Sequence, residues 1–266
     1  MKSPAYVLAI MSSGGLVPTV TFNGWLAYRK PGPEWDGRTT ASRKLNAWLF
    51  HGVNVLRVHA SPLVPAPKGL SPDAPDHALR IWLYKAEHGR DPEKDPEITL
   101  LDYRWDRSLQ PIAEEGETEL LRHQLLVKTG FGRWSWQDAR PYMPADRPGV
   151  EALVRELHDA LVRGDAERFT DGMAVKLEEF ARATQRVPNQ VLAEERAWMR
   201  GLMGMPEWRV EPVEIADLEM ESSADGRLVA VRRRDGSAPL KAWLADEPLE
   251  YDITVSQLGG AWTVTR

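Results

Sequence analysis

The first half of the chain consists mainly of short segments in which apolar and polar residues alternate. In residues 78–86, Leu79 and Leu83 share one face, and Trp82 lies on the other. This alternation is typical of β-strands, because successive side chains of a strand point to opposite faces. The pattern predicts strands at residues 5–11, 17–22, 45–50, 53–60, 78–86, 98–105, 120–128 and 133–137.

Turn residues separate these predicted strands. Phe22 is followed by Asn23-Gly24, which favours a tight β-hairpin turn because both residues tolerate positive φ angles. Ser12-Ser13-Gly14-Gly15 predicts a hairpin between the first two strands. Residues 25–41 and 61–76 are predicted as long loops. Short strands joined in this way predict an all-β sandwich of jelly-roll type.

The second half begins with helical periodicity. Val154, Leu157 and Leu161 fall on one stripe, which predicts a helix. Gly164 predicts the end of that helix, and Asp165 predicts the N-cap of a second, short helix. Further helices are predicted at residues 173–184 and 191–203.

Strand signals follow these helices. Asp225-Gly226, Asp235-Gly236 and Gly259-Gly260 favour hairpin turns between them. Helices followed by a meander of strands predict an α+β domain, with helices packed on a curved antiparallel sheet. The predicted strands are residues 208–220, 227–233, 240–244, 249–257 and 261–265.

The change of pattern predicts two domains, residues 1–145 and 146–266. Between them, residues 143–149 contain two prolines, a glycine and charged side chains, a composition typical of linkers. The first domain is predicted to be all β, and the second α+β.

Two segments of the first half resemble the galactose-binding-like family of β-sandwich domains. They are Phe22-Asn23-Gly24 and, after a loop, the segment from Leu45 through Gly52-Val53-Asn54-Val55-Leu56-Arg57-Val58. In that family a strand ends in a Val-Asn-Gly turn, and a later segment with Gly and Asn leads into the next strand. The resemblance implies a jelly-roll module that binds ligands through loops on one edge.

The second half resembles the NTF2-like family of the SnoaL type. Residues 153–161 with Arg163-Gly164-Asp165-Ala166-Glu167 are similar to its first helix and the break after it. Residues 249–256 together with Gly260-Ala261-Trp262-Thr263-Val264 are similar to its last hairpin. The helices before Trp208 are longer and more numerous than the minimal fold requires. The resemblance implies an α+β cone with a cavity between the sheet and the helices.

No catalytic or metal-binding motif is present. The chain has no cysteine, so disulfides, thiol nucleophiles and cysteine-bound zinc are excluded. His51 and His59 are eight residues apart across a glycine, and His59 is expected to be a strand residue with no neighbouring carboxylate. Asp73, Asp76 and His77 lack the spacing of a calcium-binding loop. The sequence therefore predicts no catalytic residue, no metal and no cofactor.

Charge argues against a nucleic-acid partner. The net charge is −5, with 18 basic and 16 acidic side chains in residues 1–145, and 16 basic and 23 acidic in residues 146–266. A nucleic-acid-binding domain typically carries a basic excess. Arg232-Arg233-Arg234 is the one basic triplet, and on a strand its side chains divide between two faces.

No apolar run reaches the ~20 residues of a membrane-spanning helix. The apolar segment 5–11 is followed by Ser-Ser-Gly-Gly, which favours a strand over a signal sequence. As written, the sequence predicts a soluble, cytoplasmic protein. A leader removed before Met1 would instead place it in the periplasm or outside the cell. The oligomeric state is left open.

Two groups of aromatic residues are candidate binding sites. Trp25, Tyr28 and Trp35 fall among charged residues in the predicted loop 25–41, where aromatic rings stack on sugars or anchor a protein partner. In the second domain the candidates lie around the expected cavity: His158, Trp198, Trp208, Trp243 and Tyr251. For both groups, packing in a hydrophobic core is the competing interpretation.

The sequence favours a non-enzymatic binding protein that recognises a glycan or a protein partner through the sandwich loops. The first alternative is a small-molecule binder, or an enzyme of isomerase or hydrolase type, that uses the cavity of the second domain. The second alternative is a structural scaffold without a ligand. A wide cavity with an inward Asp, His or Tyr would favour the first alternative.

Overall fold

The computed structural model describes residues 4–12, 16–29, 39–62, 78–86, 98–106, 111–113 and 116–266. The chain separates into two compact units, Met1–Gly132 and Arg133–Arg266. Residues 133–145 therefore belong to the second unit, whereas the sequence pattern changes only after residue 145. The Ser135 backbone N–H, for instance, donates to Glu179 Oε1 at 2.6 Å.

The described part of the first unit contains two antiparallel sheets of four strands each. Their strand orders are β4-β1-β6-β7 and β3-β2-β5-β8. The strands are β1 (Ala5–Ser12), β2 (Leu16–Phe22), β3 (Trp25–Arg29), β4 (Thr39–Lys44), β5 (Gly52–Pro62), β6 (Ala78–Ala86), β7 (Ile98–Asp106) and β8 (Thr118–Val127).

Both sheets contribute to one hydrophobic core. Leu8 on β1 and Leu83 on β6 come from one sheet, and Phe22 on β2 and Leu56 on β5 come from the other. All four side chains are fully buried. The alternating pattern produces this arrangement, because it turns one apolar face of each sheet inward. The predicted β-rich first half is confirmed.

The Asn-Gly turn forms as predicted. Asn23 has φ 55° and Gly24 has φ 76°, the pair of positive values that a type I′ hairpin turn requires. The turn joins β2 to β3, so residues 25–29 form a strand rather than the start of a long loop. Asn54 lies within β5, in the segment 53–60 that is predicted as a strand.

Three further predictions for the first half of the chain are wrong. The strands β1 and β2 do not form a hairpin, because β1 pairs with β4 and β6 in one sheet while β2 belongs to the other. Residues 45–50 form no strand, since Asn46–Trp48 is a turn of 3-10 helix. Ser135–Asp138 is also a 3-10 helix, and both Trp134 and Trp136 are buried there.

The second unit contains four helices, as the periodicity indicates. They are α1 (Arg147–Arg163), α2 (Ala166–Gly172), α3 (Ala174–Thr184) and α4 (Pro188–Met203). Gly164 ends α1 with φ 67°, a conformation that glycine adopts without strain. The Asp165 side chain accepts a hydrogen bond from the Arg168 backbone N–H, so it is the predicted N-cap of α2.

Two antiparallel sheets follow, with strand orders β10-β11-β14-β15 and β13-β12-β9. Val154 and Leu161 of α1 share one hydrophobic cluster with Val231 and Val255 of the first of these sheets. The predicted α+β second half is confirmed. The strands are β9 (Trp208–Val210), β10 (Leu218–Ser222), β11 (Val229–Arg233), β12 (Leu240–Leu244), β13 (Glu247–Tyr251), β14 (Ile253–Leu258) and β15 (Ala261–Val264).

Candidate ligand-binding pocket

The aromatic candidates of the first unit present little surface. Trp25 lies on β3, is 8 % exposed, and stacks on Trp48 with 4.9 Å between ring centres. Tyr28 lies on the same strand and is 6 % exposed. Trp35 lies outside the described residues. Loop recognition by these rings stays a prediction, and the two described rings belong to packed structure.

Three candidates of the second unit line neither of the two cavities described below. His158 Nε2 lies 3.1 Å from the Glu211 carbonyl oxygen, and Trp243 Nε1 donates to Glu211 Oε2 at 3.3 Å. Trp198 lies on α4 and is 48 % exposed. His158 and Trp243 therefore hold the segment before β10, and Trp198 faces outward.

Tyr251, a fourth candidate, does line a cavity. A partly enclosed pocket of about 220 Å³ lies where α2, α3 and α4 meet the junction between β13 and β14. The remaining lining residues are Phe169, Thr170, Met173, Lys176, Leu177, Glu195, Glu250 and Asp252.

Each element contributes a defined part of the wall. Phe169 of α2 contacts the Tyr251 ring edge to face, with 5.1 Å between ring centres. Met173 and Leu177 are one turn apart at the start of α3, so they share a face. These residues make one side of the pocket apolar.

Lys176 supplies the cation of the pocket. Its ammonium donates a hydrogen bond to the Asp252 carbonyl oxygen at 2.9 Å. The side chain keeps partial exposure, but protein surrounds the ammonium densely, and burial lowers the pKa of Lys176. The negative charges of Asp252 and Glu195 oppose that shift, and Arg266 adds to it.

Glu195 on α4 and Tyr251 supply the other polar groups. Burial raises the pKa of Glu195, and the Lys176 ammonium acts in the opposite direction. Burial also raises the pKa of Tyr251, and the charge of Glu195 raises it further. The Tyr251 hydroxyl contacts Met199 Sδ at 3.6 Å. The phenol is therefore neutral at physiological pH and able to donate a hydrogen bond.

A second cavity, of about 300 Å³, lies beside the turn after β11. Most of its charged side chains already have partners. Arg234 forms an ion pair with Asp217 at 3.4 Å, and Arg233 forms one with Glu211. Ser237 holds the pKa of Asp235 below its usual value through two hydrogen bonds. This cavity therefore offers a ligand few groups that lack a partner.

The described residues include no group of three or more His, Asp or Glu side chains arranged to hold a metal ion. Asp73, Asp76 and His77 lie outside the described residues. Sequence reasoning missed Lys176 and Glu195, because each reads as one more charged residue on the polar side of an amphipathic helix. Only the meeting of three helices with a strand end makes them part of a cavity.

No model of a protein family, no curated protein and no solved structure matches this chain. In the part of the chain that the structure describes, the helices are too short or too polar to cross a membrane.

Proposed function

We propose that the second unit binds a small organic molecule, with a polar head and an apolar body, in the pocket between α2, α3, α4 and the β13–β14 junction. One observation carries the proposal. The pocket joins an apolar wall, made by Phe169, Met173 and Leu177, to a polar wall that includes Lys176 and Glu195. Apolar lining with a few convergent polar groups is typical of small-molecule sites.

The size of the pocket limits the ligand. Its volume of about 220 Å³ is roughly seven times the ~30 Å³ that a water molecule occupies in the liquid. Drug-sized ligands typically fill larger pockets, of about 300–1,000 Å³. The proposed ligand is therefore a small metabolite, with on the order of ten non-hydrogen atoms.

The proposal extends the resemblance of residues 150–266 to NTF2-like domains, whose cavity lies between helices and sheet. That family assignment is itself a proposal, as is the galactose-binding-like assignment of the first unit. Tyr251 meets the criterion of an inward tyrosine in the cavity of the second unit. The burial of Trp25 and Tyr28 gives the rival proposal, recognition by sandwich loops, less support.

A pocket-filling variant tests the proposal. Leu177 lines the pocket and is only partly buried, so Leu177→Trp adds its extra volume to the cavity. Binding of a library of small metabolites is measured by saturation-transfer NMR on the full chain. We expect amphipathic members of the library to bind the wild type and to lose binding in Leu177→Trp.

Val162→Trp is the matched control, because Val162 is 58 % exposed on α1 and does not line the pocket. It should bind as the wild type does. Circular dichroism confirms that each variant is folded, and Leu177→Phe replaces Leu177→Trp should the larger side chain prevent folding. A library without a single binder, or undiminished binding in the folded pocket variant, contradicts the proposal.

A further inference from the structure

Four charged residues line the pocket, Lys176, Glu195, Glu250 and Asp252, and of these Glu250 forms an ion pair with Lys241. Lys176 and Glu195 both lie on its wall, yet their charged atoms form no ion pair within 4.0 Å. The Lys176 ammonium has three N–H donors, and one of them is used by the Asp252 carbonyl oxygen. Across the described residues, no further hydrogen bond is made by this ammonium.

The Glu195 carboxylate has even fewer protein partners than the Lys176 ammonium. Within the described part of the chain it accepts no hydrogen bond and forms no ion pair, although it is partly buried. The adjacent Glu194 is exposed and nevertheless has two partners, Arg186 and Gln190. Partial burial removes some of the hydration of this carboxylate, and no protein partner among the described residues replaces it.

The charges of Lys176 and Glu195 indicate which charges a matching ligand carries. A ligand that carries an anion beside a cation satisfies both side chains at once, since the anion accepts from Lys176 and the cation donates to Glu195. Charge-assisted hydrogen bonds of this kind are stronger than neutral ones. A ligand with a single charge provides an ionic partner for only one of the two side chains.

The apolar wall defines the rest of the ligand. Phe169 and Met173 are buried, and Leu177 lies beside them at the pocket. They offer an apolar surface to an unbranched, branched or aromatic side chain. The Tyr251 O–H, also at the pocket, donates to Met199 Sδ, and a ligand carboxylate would be a stronger acceptor for it than this sulfur.

We propose that the pocket binds an α-amino acid with an apolar side chain, with its carboxylate on Lys176, its ammonium on Glu195 and its side chain against Phe169, Met173 and Leu177. This proposal rests on the proposed function, small-molecule binding in the same pocket, and specifies its ligand class.

Matched ligands test the proposal by isothermal titration calorimetry on the full chain. L-leucine, L-methionine and L-phenylalanine represent the class. Isocaproate keeps the leucine carbon skeleton and its carboxylate but lacks the ammonium, and isoamylamine keeps the ammonium but lacks the carboxylate. At least one of the three amino acids should bind about tenfold or more tightly than both singly charged compounds, as expected for one additional charge-assisted hydrogen bond.

Two variants test which side chain binds which charged group of the ligand. Glu195→Gln should weaken amino-acid binding about tenfold and leave isocaproate binding no weaker. The control Glu194→Gln alters the exposed neighbour on the same helix and should bind as the wild type does. Lys176→Met should weaken binding of the amino acid and of isocaproate, and should leave isoamylamine binding no weaker.

The outcomes separate the two proposals. If isocaproate, isoamylamine or neutral compounds bind as tightly as the amino acids, and Leu177→Trp abolishes that binding, the zwitterion proposal is wrong and small-molecule binding stands. Equal losses in Glu195→Gln and Glu194→Gln also overturn the zwitterion proposal. If none of these compounds binds but other members of the metabolite library do, only the zwitterion proposal is wrong. If no member of the library binds, or if Leu177→Trp changes nothing, both proposals are wrong.

Discussion

Glu179 on α3 and Arg266 form an ion pair in which each side chain is only 5 % exposed. The Ser135 backbone N–H and hydroxyl both donate to Glu179 Oε1, at 2.6 and 2.7 Å. The Arg266 guanidinium also lies 4.9 Å from the centre of the Trp134 ring. This pair therefore ties the segment before α1 to α3 and to the strand region at residue 266.

Removal of Glu179 should strongly destabilise the second unit. Glu179→Ala leaves the Arg266 guanidinium buried without its carboxylate, and a broken buried pair typically costs about 3–5 kcal/mol. Chemical denaturation followed by tryptophan fluorescence measures the loss. Asp138→Ala is the control, because its ion pair with Arg133 is exposed and such pairs contribute little. Equal stability of the two variants would contradict the importance of burial.

Substitution by alanine should have opposite effects on stability at two helical glycines, Gly172 and Gly201. A Cβ at Gly172 would lie 2.6 Å from Leu157 Cδ2, and Leu157 is only 1 % exposed. Gly172→Ala should therefore lower the free energy of unfolding by about 1–3 kcal/mol, the usual effect of overpacking. A Cβ at Gly201 would meet nothing within 4 Å, and Gly201→Ala should raise stability by about 0.5–1 kcal/mol.

Thermal unfolding measures both glycine variants. A stabilising Gly172→Ala would mean that α2 has room to move away from α1, and the packing that fixes this wall of the pocket would be looser than described.

The Asn54 side chain should be a major stabilising group of the first unit. It is fully buried, accepts from Asn23 Nδ2 and the Phe50 backbone N–H, and donates to the Phe50 and Gly52 carbonyl oxygens. Asn54→Ala leaves these groups unsatisfied and should cost at least about 2 kcal/mol.

Urea denaturation measures the effect of Asn54→Ala. Asn189→Ala, at an exposed position in α4, is the control and should change stability little. A loss in Asn54→Ala no greater than in Asn189→Ala would show that this network contributes little to stability.

Lys176 predicts a pH-dependent stability difference. Burial lowers the pKa of Lys176 below its ordinary value of 10.5, while Asp252 and Glu195 raise it and Arg266 lowers it. When the pKa of a group is lower in the folded than in the unfolded state, the group contributes to stability at pH values above its unfolded-state pKa. This contribution is lost as the pH falls through the folded-state pKa. The free energy of unfolding of Lys176→Met minus that of the wild type should therefore rise as the pH falls from above 10.5.

The measurement is urea denaturation of both proteins at a series of pH values, with Lys128→Met, at an exposed strand end, measured in parallel. The difference for Lys176→Met should become constant below the folded pKa. A difference that does not change with pH, or one that matches Lys128→Met at every pH, would contradict the burial of this ammonium.

The sequence predicts elements well where local chemistry determines them. The Asn23-Gly24 turn forms because its two positive φ angles suit those residues, and α1 ends at Gly164 for the same reason. Prediction fails at residues 133–137, where Trp134 and Trp136 alternate as in a strand. Both rings are buried in a 3-10 helix, so their spacing reports packing rather than strand geometry.

Strand pairing and the pocket depend on contacts distant in sequence. Nothing in the local sequence of β1 indicates that it pairs with the distant β6. The Ser-Ser-Gly-Gly segment after β1 therefore wrongly predicts a hairpin. Tyr251 was identifiable as a candidate because an aromatic residue on a late strand stands out. Lys176 and Glu195 were not, since a charged residue on a helix is usually exposed to water.

Methionine methyl NMR tests the central claim, a ligand pocket in the second unit, most directly. Met173 lines the pocket, and Met199 Sδ contacts the Tyr251 hydroxyl, whereas Met11 lies on β1 of the first unit and Met143 precedes α1. Titration of the methyl-labelled chain with small metabolites should shift the Met173 and Met199 signals saturably and leave Met11 and Met143 unchanged. A Met173 signal that no compound shifts, or equal shifts at all four methyls, would contradict the claim.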